Sequence, residues 1–390
     1  MRILIVSYEF PPYVGGAGTY ARDLAVGLAR KGCQVHILTC VYANHASSVA
    51  EDAELNHKVK VYRIAVFGKT YLFQLFIRLR LLLSVYRYDL IVFSDAGANK
   101  MASFFQVFLE RVYGRSLSVF HGSEIDNFFV NPSRALRVFR MPRVLRRHYN
   151  KLHGIIAVSA AMKRTLVKAI PSVEAKTQII LHGIDDEMFV PLSEAKIAVV
   201  KKSLGLNETA SYIFSASRLV LKKGQDTVIK AFSEIKKKYD DLFLVISGDG
   251  PAKKELEAQA EGYGLGSKVI FTGAVGRKRM AELYGASEMF VLLSRRLNES
   301  FGLVFLEANA CGRVVVGGRI GGVMEAVEEE VSGFTVTPED WRAAAGVIEQ
   351  LLDNERLRRK LEYSARKRLL DFYTCGAMAE RLLDTFVINN

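Results

Sequence analysis

The sequence is short of the residues that mark several large classes of protein. It has only four cysteines in 390 residues. Cys33, Cys40, Cys311 and Cys375 are too scattered for a zinc site or a redox pair, and they read as reduced thiols of a cytosolic protein. There is no low-complexity tract and no Pro- or Gly-rich tail. No apolar run reaches the roughly 20 residues that a membrane-spanning helix needs. The stretch between Tyr71 and Val85 falls short and is interrupted by Arg78 and Arg80. MRILIVSYEF lacks the long apolar region and small-residue cleavage site of a signal peptide, and reads as a first strand. The chain has no Asp-x-Asp and no close cluster of His and carboxylates, so neither a metal site nor a bound cofactor is expected.

What remains is ordinary globular composition, 50% hydrophobic and 24% charged, over a length that accommodates two domains. The net charge of +13 is unevenly placed. Between Lys60 and Asn150, 15 Lys and Arg face 5 Asp and Glu. Two segments carry most of that excess, KTYLFQLFIRLRLLLSVYRY (69–88) and RALRVFRMPRVLRRHY (134–149). Alternation of Arg with large apolar residues describes either a basic amphipathic helix on an anionic membrane or a surface helix whose Arg stems cover the core. The pairing of two such segments in one half favours the membrane. No nucleic-acid-binding motif accompanies the charge, so nucleic acid is not an expected partner.

Strand and helix patterns alternate along the chain. RILIVSY (2–8) reads as a buried strand, followed by a loop with two prolines and three glycines. A helical repeat then stops at Gly32, and QVHILTC (34–40) is the next strand. DLIVFSD (89–95), SLSVFHG (116–122), GIIAVSA (154–160) and TQIILHG (177–183) continue the series. After a polar, Pro-containing stretch (181–194) that reads as a linker, a second series begins. Its strands are YIFSASR (212–218), LFLVISGDG (242–250), KVIFTGAV (268–275), EMFVLLS (288–294) and VVVGGR (314–319). The expected fold is α/β, with two Rossmann-like doubly wound domains and ligand sites at the carboxyl ends of the strands. The expected domains are 1–190, joined by a terminal helix (about 372–390) crossing back, and 191–371.

Gly16, Gly18 and Ala21 satisfy G-x-G-x-x-G/A, but a dinucleotide site is discounted. In that fingerprint the first glycine turns directly after the strand, whereas here a Pro-Pro loop intervenes. The second strand also ends in Thr39-Cys40-Val41, without an acid for a ribose hydroxyl. Gly15 and Gly16 still allow backbone N–H groups to approach an anion at a helix N-terminus. Arg218 ends a predicted strand and Lys223 follows five residues later, a fork and a point charge of the kind a diphosphate needs. Taken alone, such a pair is more often a solvated loop.

NESFGLVFLEANACG (298–312) places Glu299 and Glu307 eight positions apart. If the residues after Phe301 are helical, that is roughly 12 Å along the axis. Glycosidase carboxylates sit about 5–9.5 Å apart, so the pair suits the two ends of an elongated ligand better than one scissile bond. Ser300, Phe301 and Gly302 would stand at the helix N-terminus, where free N–H groups bind oxygen anions. Taken alone, two glutamates at this spacing are more often incidental than functional.

The stretch ESFGLVFLEANACG followed by VVVGGRIGGVMEAV resembles the signature of retaining GT-B-fold glycosyltransferases of the family 4 type. FPPYVGGAGTY, FHGSEID (120–126), SRLVLKKG (217–224), ISGDGP (246–251) and FTGAV (271–275) extend the resemblance over nearly the whole chain. It implies two Rossmann-like domains facing across a cleft, the first for the acceptor and the second for a nucleotide-sugar donor. It further implies that Gly15 and Gly16 contact the donor phosphates and that Arg218 and Lys223 neutralise the leaving diphosphate. Glu299 would hold the transferred sugar, with Ser300, Phe301, Gly302 and Leu303 adding contacts from the helix start. Glu307 would bind the ribose, while Gly248, Ala274 and Val275 border the base. His121 would reach the reacting centre, and Glu124 and Asp126 the acceptor. SRRLNES ahead of Glu299, with its two arginines, is the one departure noted.

The activity so implied is retaining, metal-independent transfer of a hexose from UDP-hexose or GDP-mannose. The acceptor would be a lipid-linked glycan or a lipopolysaccharide or exopolysaccharide precursor at the cytoplasmic membrane face. The alternatives are an epimerase or phosphorylase of the same fold and a non-catalytic nucleotide-sugar-binding protein.

Overall fold

The computed structural model describes residues 1–12, 15–41, 52, 55, 57–65, 70–125, 128–129, 134–138, 140–295 and 301–388. The chain divides into two compact units, Met1–Gly183 with Thr374–Asn390, and Ile184–Tyr373.

The first unit is built on a parallel seven-stranded sheet. Its strands are β1 (Arg2–Val6), β2 (Gln34–Val41), β3 (Val59–Ala65), β4 (Leu90–Phe93), β5 (Ser116–Phe120), β6 (Gly154–Ala157) and β7 (Thr177–Ile179). Their order is β3-β2-β1-β4-β5-β6-β7. β1 pairs on one side with β2, Ile3 opposite Val35, and on the other with β4, Ile3 opposite Leu90. Ile3, Leu4, Ile5 and Val6 are all buried, as are Leu90 through Phe93, because helices cover both faces of a parallel sheet.

The second unit repeats the plan with six strands: β8 (Ser211–Ala216), β9 (Leu242–Ser247), β10 (Val269–Gly273), β11 (Met289–Leu292), β12 (Val314–Gly318) and β13 (Gly333–Val336). The order is β10-β9-β8-β11-β12-β13, again parallel throughout. Strand order therefore reverses once in each sheet, between β1 and β4 and between β8 and β11.

The sequence patterns miss β3 and β13. Both are outermost strands, as are β7 and β10, but β3 and β13 also lack the continuous apolar run by which the others were read. In β3, Lys60 and Arg63 interrupt VKVYRIA, and β13 is only four residues of GFTV. The segment read as a linker is also not a solvated tether. Ile184 and Phe189 are fully buried, and the Phe189 ring lies 6.2 Å from that of Tyr284.

The last helix, Cys375–Leu383, belongs to the first unit and packs against the helix Gly16–Arg30. The approach is close because of Gly27, where a Cβ would run into the Cys375 carbonyl. Gly27→Ala is expected to lower stability by about 1–3 kcal/mol through overpacking. Gly346→Ala, in the helix Trp341–Asp353 with open space around it, should instead stabilise by about 0.5–1 kcal/mol. Denaturant titration of the two variants would show the opposite signs.

Candidate functional site

In the second unit the segments following β8 and β9 bring two of the sequence candidates, Arg218 and Lys223, to one pocket. β8 ends at Ala216, and Arg218 follows two residues later. The chain then makes a tight turn, Leu221–Lys223, closed by Gly224 in the left-handed conformation (φ 76°) ahead of the helix Gln225–Ile235. A Cβ at position 224 would strike the Leu293 carbonyl, so glycine is required by both backbone angle and space. Arg218 and Lys223 line one pocket of about 550 Å³, with Lys222 alongside and Pro251, Ala252 and Glu255 as the far wall.

Gly248 directly follows β9 with φ 131°, and a Cβ there would strike the Ser217 carbonyl. The loops leaving β8 and β9 thus run backbone against backbone. The Gly248 N–H donates to the Gly273 carbonyl at 2.9 Å, which sets it beside Ala274 and Val275 at the end of β10.

The helix bearing Glu307 runs from Leu303 to Ala310, with Gly302 as its left-handed N-cap (φ 84°). Helical rise therefore measures distance only from Leu303 onward, and does not give the Glu299–Glu307 separation inferred from the sequence. Glu299 and Ser300 lie outside the described residues. Phe301 is buried, its ring 5.9 Å from that of Tyr373. Glu307 is buried too, and one carboxylate oxygen accepts from the Tyr284 hydroxyl at 3.1 Å. Burial, and then the Glu307 carboxylate, hold the Tyr284 phenol protonated well beyond its ordinary range, so it remains a donor. Sequence reasoning missed Tyr284. Its signal is weak, because it lies among Phe189, Phe214 and Phe290 and reads as core.

In the first unit, Gly15 caps the helix Gly16–Arg30 in an extended conformation, and a Cβ at Gly16 would meet nothing within 4 Å. Gly18 is the glycine that packing requires, against the Glu9–Phe10 backbone. His121 stands just past β5. Its Nε2 lies 2.8 Å from the Ser94 carbonyl, which can only accept, so Nε2 carries the proton and Nδ1 keeps its lone pair. Burial lowers the pKa of this imidazole, favouring the neutral ring. Tyr20 meets it edge-on, centroids 5.2 Å apart.

Three carboxylates gather around the β1–β4 reversal. Asp95 caps the helix Ala96–Phe104, accepting from Ala98 N–H at 2.8 Å, from Glu9 N–H at 2.7 Å and from the Ser7 hydroxyl at 3.0 Å. Glu124 is buried and accepts weakly from His121 N–H at 3.4 Å. Burial, reinforced by the Asp95 charge and opposed by backbone donors, raises its pKa to about 7. Glu9 is likewise raised to about 7, by burial and then by the charges of Asp95 and Glu124. Near neutrality these two groups exist in both protonation states, so they can donate to or accept from hydroxyls. Glu9 and Asp95 were not singled out from sequence, although Asp95 ends a strand quoted there and Glu9 directly follows one. Asp126 lies outside the described residues.

The pattern described as Glycosyl transferases group 1 matches residues 196–368, and that described as Glycosyltransferase Family 4 matches residues 14–188. The GDP-mannose-dependent α-(1-6)-phosphatidylinositol monomannoside mannosyltransferase of Mycobacterium tuberculosis is 28% identical over 91% of this chain and 90% of its own length. The N-acetyl-α-D-glucosaminyl L-malate synthase of Bacillus anthracis is 26% identical over 92% and 90%. Among solved structures, Anabaena HepE in complex with UDP and glucose superimposes with a TM-score of 0.78 at 22% identity, covering 99% of both chains.

The raised carboxyls make stability depend on pH. Between the ordinary glutamate value near 4.5 and about 7, the folded state holds protons on Glu9 and Glu124 that the unfolded chain releases. Their contribution is fully present below that window and is lost as pH rises through it. Glu124→Gln should flatten this part of the stability–pH curve. Thermal denaturation from pH 4 to 8 would test it, and an unchanged slope would contradict the assignment.

Proposed function

Since the chain belongs to the GT-B glycosyltransferases of the group 1 and family 4 type, and is a glycosyltransferase that uses a nucleotide sugar, we propose that it transfers a hexose with retention at the anomeric carbon. The second unit is assigned the donor and the first the acceptor. The observation that carries this reading is the convergence of Arg218 and Lys223 on one pocket formed by the segments that follow β8 and β9. As the bond from the anomeric carbon to the phosphate oxygen breaks, negative charge grows on the diphosphate. Two fixed cations lower that barrier more than they tighten ground-state binding. They take the role a divalent metal would otherwise fill, so transfer is proposed to be metal-independent.

Glu299 is assigned to the transferred sugar, with Ser300, Phe301, Gly302 and Leu303 at the helix start. Glu307, held by Tyr284, is assigned to the ribose, and Gly248, Ala274 and Val275 to the base. Gly15 and Gly16 are assigned to the donor phosphates, His121 to the reacting centre, and Glu124 and Asp126 to the acceptor. The new bond forms on the face the diphosphate leaves, and the departing phosphate oxygen takes the acceptor proton. The donor is proposed to be UDP-hexose or GDP-mannose.

The acceptor is proposed to be lipid-linked and met at an anionic membrane, as the name of the mycobacterial relative also points to a lipid. The helix Tyr71–Val85 supports this because it is apolar on two sides. Leu75, Leu79 and Leu82 are buried, while Phe73 (56% exposed), Ile77 (43%), Leu81 (50%) and Val85 (70%) recur every four residues on the outer side. Arg78, Arg80 and Arg87 flank them, exposed, and Arg80 donates to the Phe108 carbonyl of the neighbouring segment, where Val107 and Phe108 are exposed. The other basic segment differs: in the helix Met141–Lys151, Leu145, His148 and Tyr149 are spent on the core and the arginines face water. No helix among the described residues is long and apolar enough to cross a membrane.

Lys223→Ala should cut turnover by about 10²–10³-fold with the fold intact by circular dichroism; near-normal transfer by that variant would remove the assignment. A nucleotide-sugar panel read by thermal stabilisation identifies the donor. On membranes, the protein should bind vesicles containing phosphatidylglycerol, release them at high salt, and lose them in Ile77→Glu/Leu81→Glu. Equal binding to neutral vesicles, or none, would retire the membrane reading.

A further inference from the structure

Arg295 lies directly past β11 and its partners are all structural. Its backbone N–H donates to the Lys222 carbonyl at 2.8 Å. Its guanidinium donates to the Leu221 carbonyl at 2.9 Å and to the Asp226 carboxylate at 2.7 Å, and also to the Thr227 hydroxyl. Its Nε stands 3.7 Å from a Glu339 carboxylate oxygen. Two carboxylates therefore face its charge, which argues against a direct role on phosphate. Apart from Glu339, these contacts lie on the turn Leu221–Lys223 and the first turn of the helix that follows it.

We propose that Arg295 is a positioning residue that fixes the Lys223 turn in the geometry needed to meet the leaving diphosphate. This rests on the assignment of Lys223 made above. The turn ends at Gly224, which on backbone grounds alone could swing to many conformations. From the β11 side the turn is held by the guanidinium at Leu221, by the Arg295 backbone and the Ser294 hydroxyl at Lys222, and by the Leu293 carbonyl packed against Gly224, in addition to its own Lys223-to-Val220 and Gly224-to-Leu221 hydrogen bonds. Arg295 supplies two of these contacts, including the one side-chain fork that also reaches the following helix. Only a planar fork can reach a carbonyl, a carboxylate and a hydroxyl at once, whereas a lysine ammonium at the end of a flexible stem cannot match that pattern. Arg295 also leads into the segment that carries Glu299, so the β11 loop is tied at its root to the Lys223 loop.

The test is kinetic. Charge on the diphosphate develops in the transition state, so a displaced Lys223 should lower kcat more than it raises the donor KM. Arg295→Lys is expected to reduce kcat by about 10–100-fold, as small misplacements of catalytic groups do, with donor KM within about threefold of wild type. In a Lys223→Ala background the same substitution should cost nothing further, because the group being positioned is gone. Asp226→Asn keeps Arg295 but weakens its anchor, should show the same pattern, and serves if Arg295→Lys fails to fold. Wild-type kcat in both variants, or an equal loss with and without Lys223, would overturn the positioning role while leaving the Lys223 assignment standing. Near-normal turnover by Lys223→Ala alone would overturn both.

Discussion

In a parallel sheet wound outward in two directions, the connections leaving the two central strands turn to opposite faces, and no loop fills the gap between them. Both sheets of this chain have one such point, β1 beside β4 and β8 beside β11. Arg218 and Lys223 follow β8, and Arg295 follows β11. Glu9 follows β1, and Asp95 follows β4. Each of these side chains is set by where its strand stops, so the register of buried aliphatic residues such as Ile3 against Val35, or Ile213 against Leu244, governs the placement of the chemistry.

The two units handle charge in contrasting ways. The second keeps its cations at a solvent-facing pocket and spends carboxylates, Asp226 and Glu339, on holding Arg295 rather than on ligand. Around its strand-order reversal the first instead gathers buried carboxylates, Glu9 and Glu124, where desolvation outweighs the hydrogen bonds they receive. One arrangement suits an anionic group that gains charge during reaction. The other suits neutral hydroxyls, which need partners able to donate as well as accept.

Glycines sit where backbone segments, loop or helix, must touch. At Gly224, Gly248 and Gly27 a single methyl would meet a backbone carbonyl, and no side-chain movement could relieve that. Gly16 is different, with open space beside it, so nothing in the surrounding protein calls for a glycine there. Gly16 was singled out in a pattern that also contained Gly18, and only the structure separates the packing glycine from the one left accessible.

From the sequence alone came the α/β class, the inner strands and the motifs that carry the family resemblance, because buried parallel strands are continuous apolar runs and loop motifs are local. The edge strands β3 and β13 escaped, β3 because charged and half-exposed residues break that pattern and β13 because it is only four residues long with a glycine and a threonine. The helix holding Glu307 was legible, and so was its start beside Phe301 and Gly302, although the left-handed conformation of Gly302 was not. Tyr284 behind Glu307, Arg295 behind Lys223 and the gathering of Glu9, Asp95 and Glu124 were decided by the tertiary structure. They join residues 23, 72 and 115 positions apart at the widest, and local pattern carries no record of which distant strand ends become neighbours when a sheet closes its register.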